Sequence, residues 1–277
     1  MNQSPSRLAQ VLRNVVLVLL CVLTVYPVLW VFKMAFSSSQ GFDLSLSPIP
    51  THLSSENMAG FVGQPYFGSW LFNSLAISGA TTLVGVFLAC TAAYALSRFR
   101  FPGRASMMMG FLVTQMFPGV LTLVPISIIL EKLNLYGSAL GLTLVYSTTA
   151  IPFCVWMLKG YFDTIPKELE ESAYMDGASP SLVFWKIVLP LSLPAVAVTA
   201  LFSFMTAWNE FILAAVFMNS ESSYTLPVGL KMFVGGFSNE WGLFSAGAIL
   251  VSIPVVALFV ALQQQLVGGL TAGGVKG

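Results

Sequence analysis

Six stretches of the chain, 15–36, 69–96, 105–130, 140–158, 195–217 and 243–266, run with almost no charged side chain, the exceptions being Lys33 in the first and Glu210 in the fifth. A bilayer's hydrocarbon core is about 30 Å thick and an α-helix rises about 1.5 Å per residue, so about twenty apolar residues suffice to cross. A helix also satisfies its own backbone polar groups, which lipid cannot do. The remainder of the sequence offers no soluble alternative. Only 8% of residues are charged and 56% are hydrophobic, whereas an ordinary soluble domain is about 25% charged. The expectation is an all-α membrane protein with six transmembrane helices.

The first run follows Arg7 and Arg13 as a signal peptide would. Its length, and the presence of Tyr26, Pro27 and Trp30 where small residues should mark a cleavage site, make it an anchor. Lys and Arg are enriched in cytoplasmic loops. With the N-terminus inside, nine (Arg7, Arg13, Arg98, Arg100, Arg104, Lys159, Lys167, Lys186, Lys276) are cytoplasmic and three (Lys33, Lys132, Lys231) are outside. This gives a cytoplasmic segment 1–14, an extracytoplasmic loop 37–68, a cytoplasmic loop 159–194 and a cytoplasmic tail 267–277. Pro118, Pro125, Pro152 and Pro254 lie within the runs and favour kinks. Gly137 and Gly141 have the spacing that permits close helix approach.

Several function classes are excluded. The formal net charge of +1 gives no basic excess for nucleic acid. Cys21, Cys90 and Cys154 each sit alone in an apolar run, and His52 is the single histidine, so no metal site is expected. There is no G-x-x-x-x-G-K-[ST] phosphate loop, so the chain carries no ATPase site of its own.

The loop 159–194 concentrates the polar chemistry, with five of the eleven acids: Asp163, Glu168, Glu170, Glu171 and Asp176. Pro166 suits a first helical turn, acids follow where the helix dipole favours them, and Gly177 suits a left-handed stop. Ser179 then N-caps a second short helix with Pro180 after it, and Leu189-Pro190 ends that helix. Two short helices should project as one acidic knuckle. Taken alone, such a stretch could be a solvated connector.

Its spacing, however, resembles the EAA loop of ABC import permeases. Glu171-Ser172-Ala173, three residues, Gly177, nine residues, Ile187, one residue, Leu189-Pro190 reproduce that pattern, with Ser172 in place of the middle alanine. Arg98 to Gly103 after the second span, Trp208-Asn209-Glu210-Phe211 in the fifth, and the tail from Leu266 to Gly277 are similar to the carbohydrate subfamily of maltose/maltodextrin, MalG-like subunits. The resemblance implies the type I ABC importer permease fold in a bacterial inner membrane. It also implies a second permease subunit (a heterodimer), two cytoplasmic ABC ATPase subunits that use ATP and Mg, and an extracytoplasmic binding protein that delivers sugar. Glu170, Glu171, Ala173, Asp176, Gly177, Ile187, Leu189 and Pro190 are then the ATPase-coupling residues. Gly268, Gly269, Gly273 and Gly274 belong to a tail that contacts the ATPase pair or is simply a loose end.

Glu210 is costly in lipid unless it meets a polar cavity or partner. With Trp208 and Asn209 it either lines a sugar path or makes a structural contact. An ion-coupled transporter would need more intramembrane ionisable groups or repeats than one glutamate supplies, and an enzyme would need a nucleophile, base or metal cluster that the chain lacks.

Overall fold

The apolar runs are helical in the computed structural model, which describes residues 7–50, 52–236 and 239–274, with side chains as far as 265. The helices are α1 (Arg7–Ala35), α2 (Glu56–Val62), α3 (Phe67–Arg98), α4 (Arg104–Met116), α5 (Leu123–Lys132), α6 (Ala139–Phe162), α7 (Glu168–Met175), α8 (Pro180–Val183), α9 (Leu189–Leu191), α10 (Leu193–Asn209), α11 (Ile212–Phe217), α12 (Leu226–Lys231) and α13 (Trp241–Gly274). Among the described residues there is no strand. Among the described residues four helices, α1, α3, α6 and α13, are each long and apolar enough to cross a membrane, and the number rises to six if each of two bent pairs is one span.

The bent pairs depart from the sequence expectation. The run 105–130 is broken: α4 stops at Met116, Phe117 and Pro118 are extended, and a 3₁₀ turn at Gly119–Thr122 leads into α5 at a 96° bend. Proline disfavours helical geometry in the residue before it and donates no backbone N–H, which accounts for a break rather than a kink. The run 195–217 is interrupted at Glu210, where the backbone is extended between α10 and α11. Nor does Leu189-Pro190 end the second loop helix. A π-helical turn at Phe184–Val188 precedes Pro190, helix continues to Leu191, and the chain then bends by 79° into α10. A π turn shifts the hydrogen-bond ladder by one residue, and proline needs such an adjustment because it has no N–H to place in it.

Helices also outrun their apolar cores. α1 begins at Arg7 inside the segment read as a cytoplasmic N-terminus, α6 reaches Phe162, and the backbone of α13 stays helical to Gly274. For 267–274 the helical backbone differs from the reading of this stretch as a loose end, and the rest of that stretch, 275–277, lies outside the described residues. Each glycine costs a helix about 1 kcal/mol, but propagating a formed helix adds a hydrogen bond per residue.

The chain divides into two compact units. In the unit formed by residues up to Phe67 with Leu230–Ile253, Phe61 is fully buried and packs against Phe67 and Phe233. The Asn57 side chain donates to the carbonyls of Met34 and Ser37 and accepts from Gln40, whose own carbonyls accept from the amides of Trp241 and Leu243. Polar side chains thus tie α1, α2 and the start of α13 together where helix ends leave backbone groups unpaired.

In the unit of Gly68–Gly229 with Pro254–Gly277, two apolar clusters occupy opposite halves of α3 and α6. One joins Ala89, Cys90 and Ala93 to Cys154, Val155, Leu158, Val183 and Val188; the other joins Ile77 to Leu142, Tyr146, Ala207, Ala214 and Phe217. At the far end of α3, Trp70 Nε1 donates to the Glu221 carbonyl (2.7 Å), Asn73 donates to those of Ser222 and Tyr224, and the Leu226 amide donates to Ser74 Oγ (2.7 Å). Gly137 and Gly141 serve a local turn rather than a helix crossing. Gly137 is left-handed at φ +74° against Asn219, and Gly141 sits beneath the Leu135 carbonyl.

Candidate functional site

The loop between α6 and α10 folds as a two-helix knuckle. Pro166 lies just ahead of the N-cap Lys167, and Glu168, Glu170 and Glu171 fill the first turn of α7. Gly177 has φ +84°, and beside it the Ala178 amide donates to the Ala173 carbonyl while its own amide donates to that of Tyr174. This is a Schellman stop, which needs a residue tolerant of left-handed backbone. Ser179 then caps α8, accepting from the Leu182 amide (3.3 Å).

The motif residues separate into two groups. Glu171, Asp176 and Gly177 are exposed, Ala173 is half-buried, and Ala173, Asp176, Gly177 and Ile187 line one open groove of about 360 Å³ with Lys186. Ile187 and Leu189 lean on the apolar cluster of α3 and α6, while Pro190 is exposed. Glu170 stands apart: it turns inward and is only 3% exposed. Arg98 Nε donates to Glu170 Oε1 (2.5 Å), and the Tyr94 hydroxyl donates to Oε2 (3.3 Å). Glu170 is therefore an anchor for α7 rather than part of its outward face.

The anchor extends along the end of α3. Arg98 Nη1 donates to Ser97 Oγ (2.9 Å), Nη2 to the Ile165 carbonyl (3.3 Å), Ser97 Oγ to Asp163 Oδ1 (2.6 Å), and Lys159 pairs with Asp163 Oδ2 (2.5 Å). Partial burial pushes the Asp163 carboxyl up, but hydrogen bonds from Lys159 and Ser97 and the charges of Lys159 and Arg104 outweigh it, leaving Asp163 below the usual carboxylate range. The knuckle is thus bolted to the last turn of α3 by a continuous string of charge-assisted bonds. Sequence reasoning placed Arg98 as a loop charge and as the start of the 98–103 stretch, not as an ion-pair partner; Glu170 lies 72 residues away.

Glu210 occupies the break between α10 and α11. Its carboxylate accepts from the amides of Ile212, Leu213 and Ala214 and from the Tyr146 hydroxyl (3.2 Å). It caps the short helix, so its local partners meet the structural alternative. Trp208 is 1% exposed and stacks on Phe204, which withdraws its face from any solute; Asn209 is exposed. A different polar surface was missed. The 96° break leaves a concavity of about 420 Å³ lined by Thr114, Gln115, Phe117, Thr122, Thr148 and Thr149 among others, with Gln115 Nε2 donating to the Thr149 carbonyl. The signal was a hydroxyl run, Ser147-Thr148-Thr149, in the middle of a charge-free stretch.

Gly268, Gly269, Gly273 and Gly274 continue the backbone of α13. Among the described residues no group of three or more His, Cys, Asp or Glu is placed to hold a metal.

A multi-span helical subunit with a projecting helix pair is the architecture of a type I transport permease, and a solved structure agrees. A subunit of a bacterial ABC transporter for the import of the acidic polysaccharide alginate superposes with a TM-score of 0.81 at 21% identity, over 96% of this chain and 99% of that one. The chain belongs to the family of inner membrane components of binding-protein-dependent transport systems, which residues 81–271 match. It is 36% identical to the diacetylchitobiose uptake system permease protein DasC of Streptomyces coelicolor, over 95% of this chain and 96% of that one. It is 40% identical to the galactooligosaccharides transport system permease protein GanQ of Bacillus subtilis (94% and 93%) and 36% identical to the maltose/maltodextrin transport system permease protein MalG of Escherichia coli (100% and 99%).

Proposed function

We propose that this chain is one of two permease subunits of an ATP-driven carbohydrate importer in a bacterial inner membrane. It pairs with a different permease subunit, receives sugar from an extracytoplasmic binding protein, and takes its drive from two cytoplasmic ATPase subunits docked on the knuckle. The observation that carries this reading is the exposed edge of Glu171, Asp176 and Gly177 at the groove beyond the spans, in a chain whose relatives are sugar permeases. A rigid helix pair standing in a partner's cleft transmits that partner's closure as rigid-body motion. Maltose, diacetylchitobiose and galactooligosaccharides all occur among the relatives' names, so the proposed cargo is an oligosaccharide rather than one named sugar.

The proposed path runs past the concavity at the broken third span. Exposed threonine, glutamine and phenylalanine side chains at mid-span suit a hydroxyl-rich solute, and polar groups in a membrane are costly unless they face such a cavity. Glu210 supports this path indirectly, by fixing the break beside Leu213.

The test is to tag the chain, purify it with its partners, and measure uptake of labelled oligosaccharides into liposomes. Co-purification of a P-loop ATPase and ATP-dependent uptake support the reading; uptake driven by an ion gradient without an ATPase overturns it. Cysteines replacing Ser222 and Ser179 report topology: an impermeant thiol reagent added outside should label the first and spare the second.

A further inference from the structure

The concavity at the broken third span has a one-sided hydrogen-bonding character. Thr114 Oγ1 donates to the Phe111 carbonyl (2.8 Å), Thr122 Oγ1 to that of Gly119 (2.7 Å), Thr148 Oγ1 to that of Val145 (2.7 Å) and Thr149 Oγ1 to that of Tyr146 (2.8 Å). A threonine hydroxyl has one proton and two lone pairs. With each proton held by the carbonyl three residues back, what these four lining residues have left to offer is lone pairs. Gln115 adds another acceptor in Oε1, since its Nε2 gives one of two protons to the Thr149 carbonyl (3.1 Å).

Donors at the same surface are few and neutral. Gln115 keeps one amide proton, and Gly119 opens a 3₁₀ turn, whose first amides lie outside the hydrogen-bond ladder. Among the described residues no lysine, arginine or histidine lines the concavity. The charge that does stand behind this wall is negative. The amide of Leu213, a lining residue, donates to Glu210 Oε2 (2.9 Å), which also accepts from Tyr146, the neighbour of lining Val145.

A sugar hydroxyl both donates and accepts, so a neutral glycan can give its protons to these oxygens while Phe117, 63% exposed, offers an apolar face to the ring. A carboxylate only accepts. Here it would meet a row of acceptors, few neutral N–H groups and a like charge, and would lose its hydration without replacement.

We propose that this wall selects solutes by charge: it admits hydroxyl-rich neutral glycans and discriminates against acidic ones such as uronates. The inference rests on the path proposed above and goes beyond it by assigning the charge class of the solute to four threonines and Gln115.

The test uses the full chain in its assembled transporter, in nanodiscs, with native cysteines replaced by alanine and Thr148→Cys as reporter. The uncharged reagent N-ethylmaleimide labels the cysteine. The probes are maltose, diacetylchitobiose and a galactooligosaccharide, each beside a form oxidised at C6 to the uronate and used at about pH 7, where the carboxyl is ionised. The two members of a pair keep the same rings and differ by one carboxylate. At least one neutral sugar should slow labelling several-fold at a concentration at which its uronate leaves labelling nearly unchanged, and Gln115→Arg should raise the uronate's protection. Equal protection by a sugar and its uronate would overturn the charge selection and leave the path standing. Labelling that no sugar slows would overturn path and selection together. A cysteine unreactive without sugar would do the same, by showing the concavity filled by a partner subunit.

Discussion

Glu170→Ala should release α7 from α3 without disturbing the spans. The Arg98 and Glu170 side chains are 7% and 4% exposed, so truncating the acid leaves a guanidinium buried beside Tyr94. Breaking a buried ion pair by removing one partner costs about 3–5 kcal/mol. Arg98 keeps two acceptors, Ser97 Oγ and the Ile165 carbonyl, which places the expected cost near the lower end, about 3 kcal/mol. Because the pair fixes one short helix, the loss appears as local opening: 3 kcal/mol raises the open population of α7 roughly a hundredfold. Hydrogen exchange of the α7 amides in reconstituted protein reads this directly, and ATP-driven uptake should fall with it. The double variant Arg98→Met with Glu170→Met removes both charges and should return exchange to within about tenfold of wild type, since an apolar pair of similar volume replaces a buried ion pair at little cost. Wild-type exchange in Glu170→Ala, or a double variant as mobile as the single, would refute the reasoning.

Gly177→Val should disconnect ATP hydrolysis from uptake at unchanged membrane levels. Nothing lies within 4 Å of an added Cβ there, so the cost is the left-handed backbone, while Gly177→Asn should retain most coupling. Glu171→Lys should weaken ATPase association, measured by co-purification, because it reverses a charge at the exposed edge, a change worth about 2–5 kcal/mol at a desolvated contact. Thr149→Val with Gln115→Ala should lower sugar uptake with stimulated ATP hydrolysis intact; unchanged uptake removes the concavity from the path. Hydrogen bonding from Lys33, then from the Ser45 amide, holds the Asp43 carboxyl at about 2, below its usual value. A depressed pKa stabilises the pinned loop above the ordinary carboxylate range, and that stabilisation is lost as pH falls through about 2. Hydrogen-exchange protection of the Ser45 amide, which donates to Asp43 Oδ1, should therefore persist from about pH 7 to about pH 4 and be lost in Asp43→Ala.

What the sequence disclosed depended on how local the cause was. The apolar runs, the left-handed Gly177 and the Ser179 cap each rest on a handful of neighbouring residues, and all three were readable. Glu170 was not. In E-L-E-E-S-A-Y-M the acids look solvent-facing, yet Leu169 and Met175 are exposed and Glu170 is buried, because Arg98, far away in sequence, decides which face turns inward. Glu210 misled differently: a lone acid in an apolar run reads as a polar point on a continuous helix, whereas it ends one helix and caps the next. Pro118 was seen as a kink, but the size of a bend depends on the neighbours that accept the freed backbone groups, which no local pattern specifies.

The bonds that close the far end of α3 bear on biosynthesis. Trp70 and its acceptor are separated by 151 residues, as are Asn73 and the Tyr224 carbonyl, and Ser74 waits on Leu226, 152 residues on. At about 5–20 residues per second, a ribosome needs about 8–30 s to make that interval. For that time the indole N–H and the Asn73 amide stand at one end of an inserted apolar helix without their final acceptors, and the Ser74 hydroxyl without its final donor. Newly made α3 should therefore sit with this end at the water-facing boundary, or against an insertion factor that supplies carbonyls, until the segment 221–226 emerges. Slowing translation between 98 and 221 should lengthen that exposed interval and raise degradation of the chain, whereas the same slowing after 226 should not.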